Sequence, residues 1–169
     1  EPQDLRVDLG DLTVHYRDWG GSGHPLVLVH GLASTCHIWD LAAPLLARSF
    51  RVLALDQRGH GESDKPDTGY DFETVAGDLG RFLDALRVDR PLLVGHSWGG
   101  DVAVAYAHSS PSRVRGLCAV DGGILELSAL PGMTLARARE RLAPPDMDGM
   151  TLDSLRSEAP SWLGFSLTP

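Results

Sequence analysis

A serine between two glycines, at the junction of an apolar strand and a small-residue helix, is the residue here best placed to do chemistry. The segment reads Gly95-His96-Ser97-Trp98-Gly99-Gly100, directly after Pro91-Leu92-Leu93-Val94 and directly before Val102–Ala107. A strand-to-helix reversal in so few residues forces its central residue into strained backbone geometry and lifts the Ser97 hydroxyl clear of the sheet. Side chains at the flanking positions would clash there, which accounts for Gly95 and Gly99. The following helix N-terminus aims free N–H groups and a positive dipole end at the reacting oxygen. Ser97 is therefore a candidate nucleophile; the plain alternative is a glycine-rich turn whose serine caps the helix.

Nucleophilic attack on an acyl carbonyl needs two donors where the tetrahedral oxyanion forms. Trp98 supplies one backbone N–H. The second is expected from Leu32, in His30-Gly31-Leu32, which closes the apolar run Leu26–Val29. Gly31 lets that backbone approach a substrate carbonyl. His30, Gly31 and His96 border the pocket so formed, His30 more as a ring bonded to loop backbone than as an acid or base.

The elements that must position these residues follow from the hydrophobic pattern. Leu5–Leu9 and Leu12–Tyr16 alternate apolar with polar around a Gly10-Asp11 turn, as half-buried strands of a hairpin do. Leu26–Val29 is a solid apolar run that suits a strand buried on both faces. Arg51–Leu55, Pro91–Val94 and Val114–Val120 are further central strands. Between them, Val75, Leu79, Phe82, Leu83 and Leu86 lie on one helical face, with Asp71 as N-cap. Ile38, Leu41, Leu45 and Leu46 form a shorter apolar stripe. Strands alternating with helices mean crossover units and a mostly parallel, doubly wound sheet. Past Gly122-Gly123, five prolines and no strand pattern mark a separate helical excursion.

Three segments now carry a resemblance. Val29-His30-Gly31-Leu32, Asp56-Gln57-Arg58-Gly59-His60-Gly61-Glu62-Ser63-Asp64 and Gly95–Gly100 resemble, in order and spacing, the α/β-hydrolase superfamily. They look most like its branch of single-domain esterases, haloperoxidase-like enzymes and C–C bond hydrolases. The resemblance runs from about residue 5 to 123. It implies that residues 1–123 are the N-terminal part of the hydrolase core and that 124–169 begin a helical cap, or lid. The last strands of the sheet would then be absent from this chain. It also implies that Asp56–Asp64 is a structural loop, so Arg58, His60 and Ser63 are left out of the catalytic set. Haloalkane dehalogenases and epoxide hydrolases of this fold carry Asp where this chain has Ser97, and a serine needs an acyl carbonyl or similar electrophile.

A serine is a poor nucleophile until a histidine takes its proton and a carboxylate orients that histidine. In this fold the base follows the serine in the chain. The only histidine after Ser97 is His108, on the order of 15 Å along the elbow helix. The expectation is that a C-terminal fragment of the same hydrolase supplies the base. Asp121, ending the sixth strand at the carboxyl edge, is a candidate triad acid.

Composition narrows the partners. A formal net charge of −8 reads against a nucleic-acid partner, which would call for a basic patch. No apolar run of about 18 residues suggests a membrane span. The chain opens on Glu-Pro-Gln-Asp, without the basic and apolar regions of a signal peptide. Cys36 and Cys118 stand far apart, read as free thiols packed like small hydrophobes, and a reducing cytoplasm fits them. No cofactor and no metal is implied. The expected ligand is a small acyl substrate: a carboxylic ester, thioester or lactone. C–C bond hydrolysis, perhydrolysis and a non-catalytic ligand-binding role remain the alternatives.

Overall fold

The computed structural model describes residues 1–122 together with residues 131, 132, 134, 136, 137, 151, 153 and 154. The chain divides into two compact units, Glu1–Leu125 and Glu126–Pro169; the segment read as a cap falls almost wholly outside the described residues.

Six strands are β1 (Gln3–Asp8), β2 (Thr13–Gly20), β3 (His24–Val29), β4 (Phe50–Leu55), β5 (Leu92–His96) and β6 (Gly116–Val120). They form one sheet in the order β1-β2-β4-β3-β5-β6. The leading hairpin is antiparallel, with Gly10 at φ 97° in its turn, and β2 pairs antiparallel with β4. From there the sheet is parallel: β3 lies between β4 and β5, and β5 carries β6. The expected α/β architecture with an antiparallel lead-in is thus present.

The helices are α1 (Ala43–Leu46), α2 (Phe72–Ala85) and α3 (Trp98–Ser109). Asp71 caps α2 as its sequence predicts, its carboxylate accepting from the Thr74 N–H at 2.9 Å. The alternating residues of β3 and β4 separate two cores. Val27, Val29, Leu53 and Leu55 pack with Val75, Leu79, Phe82 and Leu83 of α2 and Val102, Ala103 and Tyr106 of α3. Leu26, Leu28, Val52 and Ala54 pack on the opposite face with Cys36, Trp39 and Ala43. Burial on both faces explains why β3 reads as an unbroken apolar run.

The stripe Ile38-Leu41-Leu45-Leu46 does not form a core-facing helix. The segment is a 3₁₀ turn at Cys36–Trp39 followed by the single-turn α1, and Leu41 is 90% exposed, with Ile38 and Leu45 also outward. A rival stripe, Cys36, Trp39 and Ala43, is buried instead. Trp39 brings more apolar area to the core than a leucine does. Pro44, lacking an N–H, sits in the first turn of α1 and restarts the helix there. Cys118 likewise departs from expectation, being exposed on β6, whereas Cys36 is packed away; both are free thiols.

This topology fixes where a site can form. The chain passes from β3 to β4 on one side, then crosses to β5 on the other side of β3. The reversal opens a crevice beyond the carboxyl ends of β3 and β5. The His30-Gly31-Leu32 loop and the Ser97 elbow are the two segments that emerge there.

Candidate active site

Ser97 is the joint between β5 and α3. Its backbone sits at φ 49°, ψ −126°, a region that side-chain-bearing residues rarely adopt. The turn is held by the Ser97 N–H donating to the Val120 carbonyl at 2.9 Å and the Gly100 N–H donating to the Ser97 carbonyl at 2.7 Å. Gly95 and Gly99 are required by space rather than by φ. A Cβ on Gly95 would stand 2.6 Å from Gly100 Cα, and one on Gly99 would stand 2.5 Å from the Val29 carbonyl oxygen. The elbow is therefore wedged against the end of β3, the strand that leads into His30-Gly31-Leu32.

Gly31 completes that contact. A Cβ there would lie 3.0 Å from His96 Nδ1 and 3.1 Å from Ser97 Cβ. Among the described residues, no backbone hydrogen bond uses the N–H of Leu32 or of Trp98.

His30 is fully buried and both its ring nitrogens are engaged. Nδ1 donates to the Gly31 carbonyl at 2.7 Å, and Nε2 accepts from the Gln57 N–H at 3.0 Å. The Gln57 amide donates in turn to the His30 carbonyl at 2.6 Å. The ring clamps the His30-Gly31-Leu32 loop to the exit of β4. Burial holds the imidazole neutral, lowering its pKa to about 4. An unfolded chain binds that proton near pH 6.5, so the unfolded state is the more protonated one below it. The stabilisation is complete above pH 6.5 and is lost as the pH falls toward 4. Denaturant titrations should show the unfolding free energy dropping by about 3 kcal/mol across that window. A His30→Asn variant should show a flatter profile; identical slopes in the two proteins would reject the assignment.

The Asp56–Asp64 segment is a bonded hub. Asp56 accepts from the Cys36 N–H at 2.7 Å, the Glu62 N–H at 3.0 Å and His15 Nδ1 at 2.8 Å. Burial pushes this carboxyl up, but the backbone donors and His15 outweigh it and hold it below its usual value. The Ser63 hydroxyl donates to the Asp56 carbonyl at 2.6 Å, and Arg58 is buried against Asp78 at 2.7 Å. His15, Cys36 and Asp56 together bring metal-type ligand atoms within 4.8 Å of one another. Burial, and then the charge of Asp56, push the Cys36 thiol far above its ordinary range, so it stays a thiol. With the carboxylate already taken by three donors, the cluster serves as a structural knot rather than as a cation site.

All seven histidines lie among the described residues, so each can be placed against Ser97. His15 is paired with Asp56, His24 with the Arg90 carbonyl, His37 with Arg17 and Asp40, and His60 with the Arg58 carbonyl. His108 is in the last turn of α3, at the far end of the helix that Ser97 begins. His96 Nδ1 is sealed from solvent with no partner, against Gly31. His15, His24, His30, His37 and His60 thus bond to groups other than Ser97.

Asp121 shares an unusual property with Ser97: it is a non-glycine residue at positive φ, 51°. The register of β5 and β6 pairs His96 with Val120, so Ser97 and Asp121 are the next residues out on adjacent strands. A Cβ on Gly122 would stand 2.6 Å from Ser97 Cα. The Asp121 turn is thereby pressed directly on the Ser97 backbone, a proximity that the sequence alone did not reveal.

Comparison with known proteins agrees with this architecture. The model of the alpha/beta hydrolase fold family matches residues 24–167, and the chain belongs to that family. A soluble epoxide hydrolase of Corynebacterium sp. (strain C12) is 42% identical over 101 residues, covering 60% of this chain and 35% of that protein. A 2-(acetamidomethylene)succinate hydrolase of Mesorhizobium japonicum is 38% identical over 116 residues, covering 69% of this chain and 41% of that protein. Among solved structures, Est816, described as an N-acyl homoserine lactone degrading enzyme, superposes with a TM-score of 0.66 at 36% identity, covering 70% of this chain and 45% of that one. The chain spans less than half the length of each of these relatives. No helix among the described residues is long and apolar enough to cross a membrane.

Proposed function

We propose that this chain is the nucleophile-bearing part of a serine hydrolase that cleaves a carboxylic ester, thioester or lactone through an acyl-Ser97 intermediate. The observation that carries the reading is the strained backbone of Ser97 at the end of β5, with Gly31 packed against it. Strain of this kind costs about 1–3 kcal/mol and persists where the fold holds a group ready to react. The Ser97 hydroxyl attacks the acyl carbon, and the Leu32 and Trp98 N–H groups take up the negative charge that develops on the carbonyl oxygen. A relative described as lactone-degrading supports the acyl class of substrate.

Asp121 is the proposed acid of the triad, and the proposed base is a histidine outside residues 1–169. The reason is the inventory above: each histidine present is bonded, buried or remote. Residues 124–169 are proposed to begin a helical cap, and a cytoplasmic setting fits the two unpaired cysteines.

A fluorophosphonate probe applied to the native protein tests the reading. Phosphonylation on the tryptic peptide containing Ser97, abolished by prior heating, is the expected result. A native sample that stays unlabelled at Ser97 under conditions that label a known esterase would reject it.

A further inference from the structure

Four rings run in series from the oxyanion loop to the start of α2. His30 meets His60 with centroids 4.9 Å apart and planes inclined at 60°. His60 and Trp98 follow at 6.1 Å and 31°, and Trp98 and Phe72 at 6.1 Å and 36°. The last two contacts are closer to parallel than to edge-on, so neighbouring ring faces form one shelf. Its orientation is fixed from beneath. His60 Nδ1 donates to the Arg58 carbonyl at 2.9 Å, and Arg58 is itself locked onto Asp78. Trp98 packs against the α2–α3 core.

Phe72 is the outer end of this shelf, and 48% of it remains exposed. Its position is set by neighbouring structure: it is the first residue of α2, directly after the Asp71 cap. The shelf reaches the Ser97 elbow because Trp98, its middle member, directly follows Ser97 and opens α3. An aromatic surface joined to an acyl-transfer site offers most to a substrate group that is itself flat, through offset stacking on an individual ring face. A saturated ring of the same size presents axial hydrogens and loses that face-to-face contact.

We propose that Phe72, in tilted contact with Trp98, is a specificity-determining residue that binds a planar unsaturated ring of the acyl substrate in preference to its saturated counterpart. This rests on the esterase reading above for its kinetic test, but its binding test does not. Two substrate pairs isolate planarity: benzyl acetate with cyclohexylmethyl acetate, and methyl phenylacetate with methyl cyclohexylacetate. In each, a methylene separates the ring from the reacting centre, so intrinsic reactivity is nearly matched. The native protein should favour the planar member of at least one pair by roughly tenfold in kcat/KM, carried by KM. Phe72→Leu should bring that ratio to within about twofold of one, Phe72→Tyr should retain it, and Leu41→Ala, far out on the surface, should leave it unchanged.

Wild-type ratios near one in both pairs, or a preference that survives Phe72→Leu, would overturn the proposal. If no ester is turned over, the esterase reading fails separately. Saturation-transfer NMR with benzyl alcohol against cyclohexylmethanol then decides the shelf. Stronger transfer to the planar alcohol that disappears in Phe72→Leu upholds it; equal transfer, or no change on substitution, sinks it.

Discussion

Replacing Ser97 by alanine is expected to lower kcat of the native enzyme by about 10⁶-fold while leaving KM nearly unchanged, because the hydroxyl forms a bond only as the transition state is reached. The residual rate should still exceed that in water, since the Leu32 and Trp98 N–H groups remain to bind the oxyanion. The fold should tolerate the change. Alanine meets the same backbone cost at φ 49° that serine does, and no hydrogen bond of the turn uses the side chain. Glycine at this position should behave differently. It relaxes the strain and raises stability by about 1 kcal/mol, offset in part by its greater freedom when unfolded. Steady-state kinetics and denaturant unfolding on Ser97→Ala and Ser97→Gly check both halves of this. A Ser97→Ala protein retaining more than a few per cent of wild-type turnover would show that another group attacks the substrate.

That strain was legible in advance because its cause is local. Gly95, Ser97 and Gly99 sit within five residues, between a strand and a helix, and no reversal so short can avoid a left-handed residue at its centre. The same holds for the Asp71 cap and for β3, whose unbroken Leu26–Val29 run reports burial on two faces. The doubly wound order follows from alternation of elements, a property of the whole sequence that tolerates errors at individual boundaries.

What the sequence withheld is long-range. The stripe at Ile38, Leu41 and Leu45 and its rival at Cys36, Trp39 and Ala43 both have helical spacing. Only the three-dimensional neighbours Val52, Ala54 and Leu28 decide between them. Asp56 could be read as a loop-fixing residue, but its partners Cys36 and His15 come from segments 20 and 41 positions away, joined by sheet register rather than by motif. The ring series from His60 to Phe72 is hidden for the same reason. His60 lies within the loop after β4, Trp98 begins the helix after β5, and Phe72 starts the helix between them. Local pattern names the elements, whereas the crossovers decide which of their ends meet.

Asp121 is where this distinction has its largest consequence, and Asp121→Asn is expected to lower kcat by about 10⁴-fold with little loss of stability. In the sequence, Asp121 is merely an acid at the end of an apolar run. In the fold, it is the residue beyond Val120, which pairs with His96, so it stands one strand over from the nucleophile at the same height. The Ser97 N–H donates to the Val120 carbonyl, and Gly122 leaves no room for a side chain against Ser97. A triad carboxylate must hold the base in one tautomer and stabilise the imidazolium that forms; an amide of the same shape can do neither. Asparagine separates chemistry from architecture here because it accepts φ 51° as readily as aspartate does. Loss of turnover with an unchanged unfolding midpoint therefore identifies the carboxylate's charge as the missing element. Turnover within tenfold of wild type would place the triad acid elsewhere, leaving Asp121 as a turn residue that shapes the elbow from the neighbouring strand.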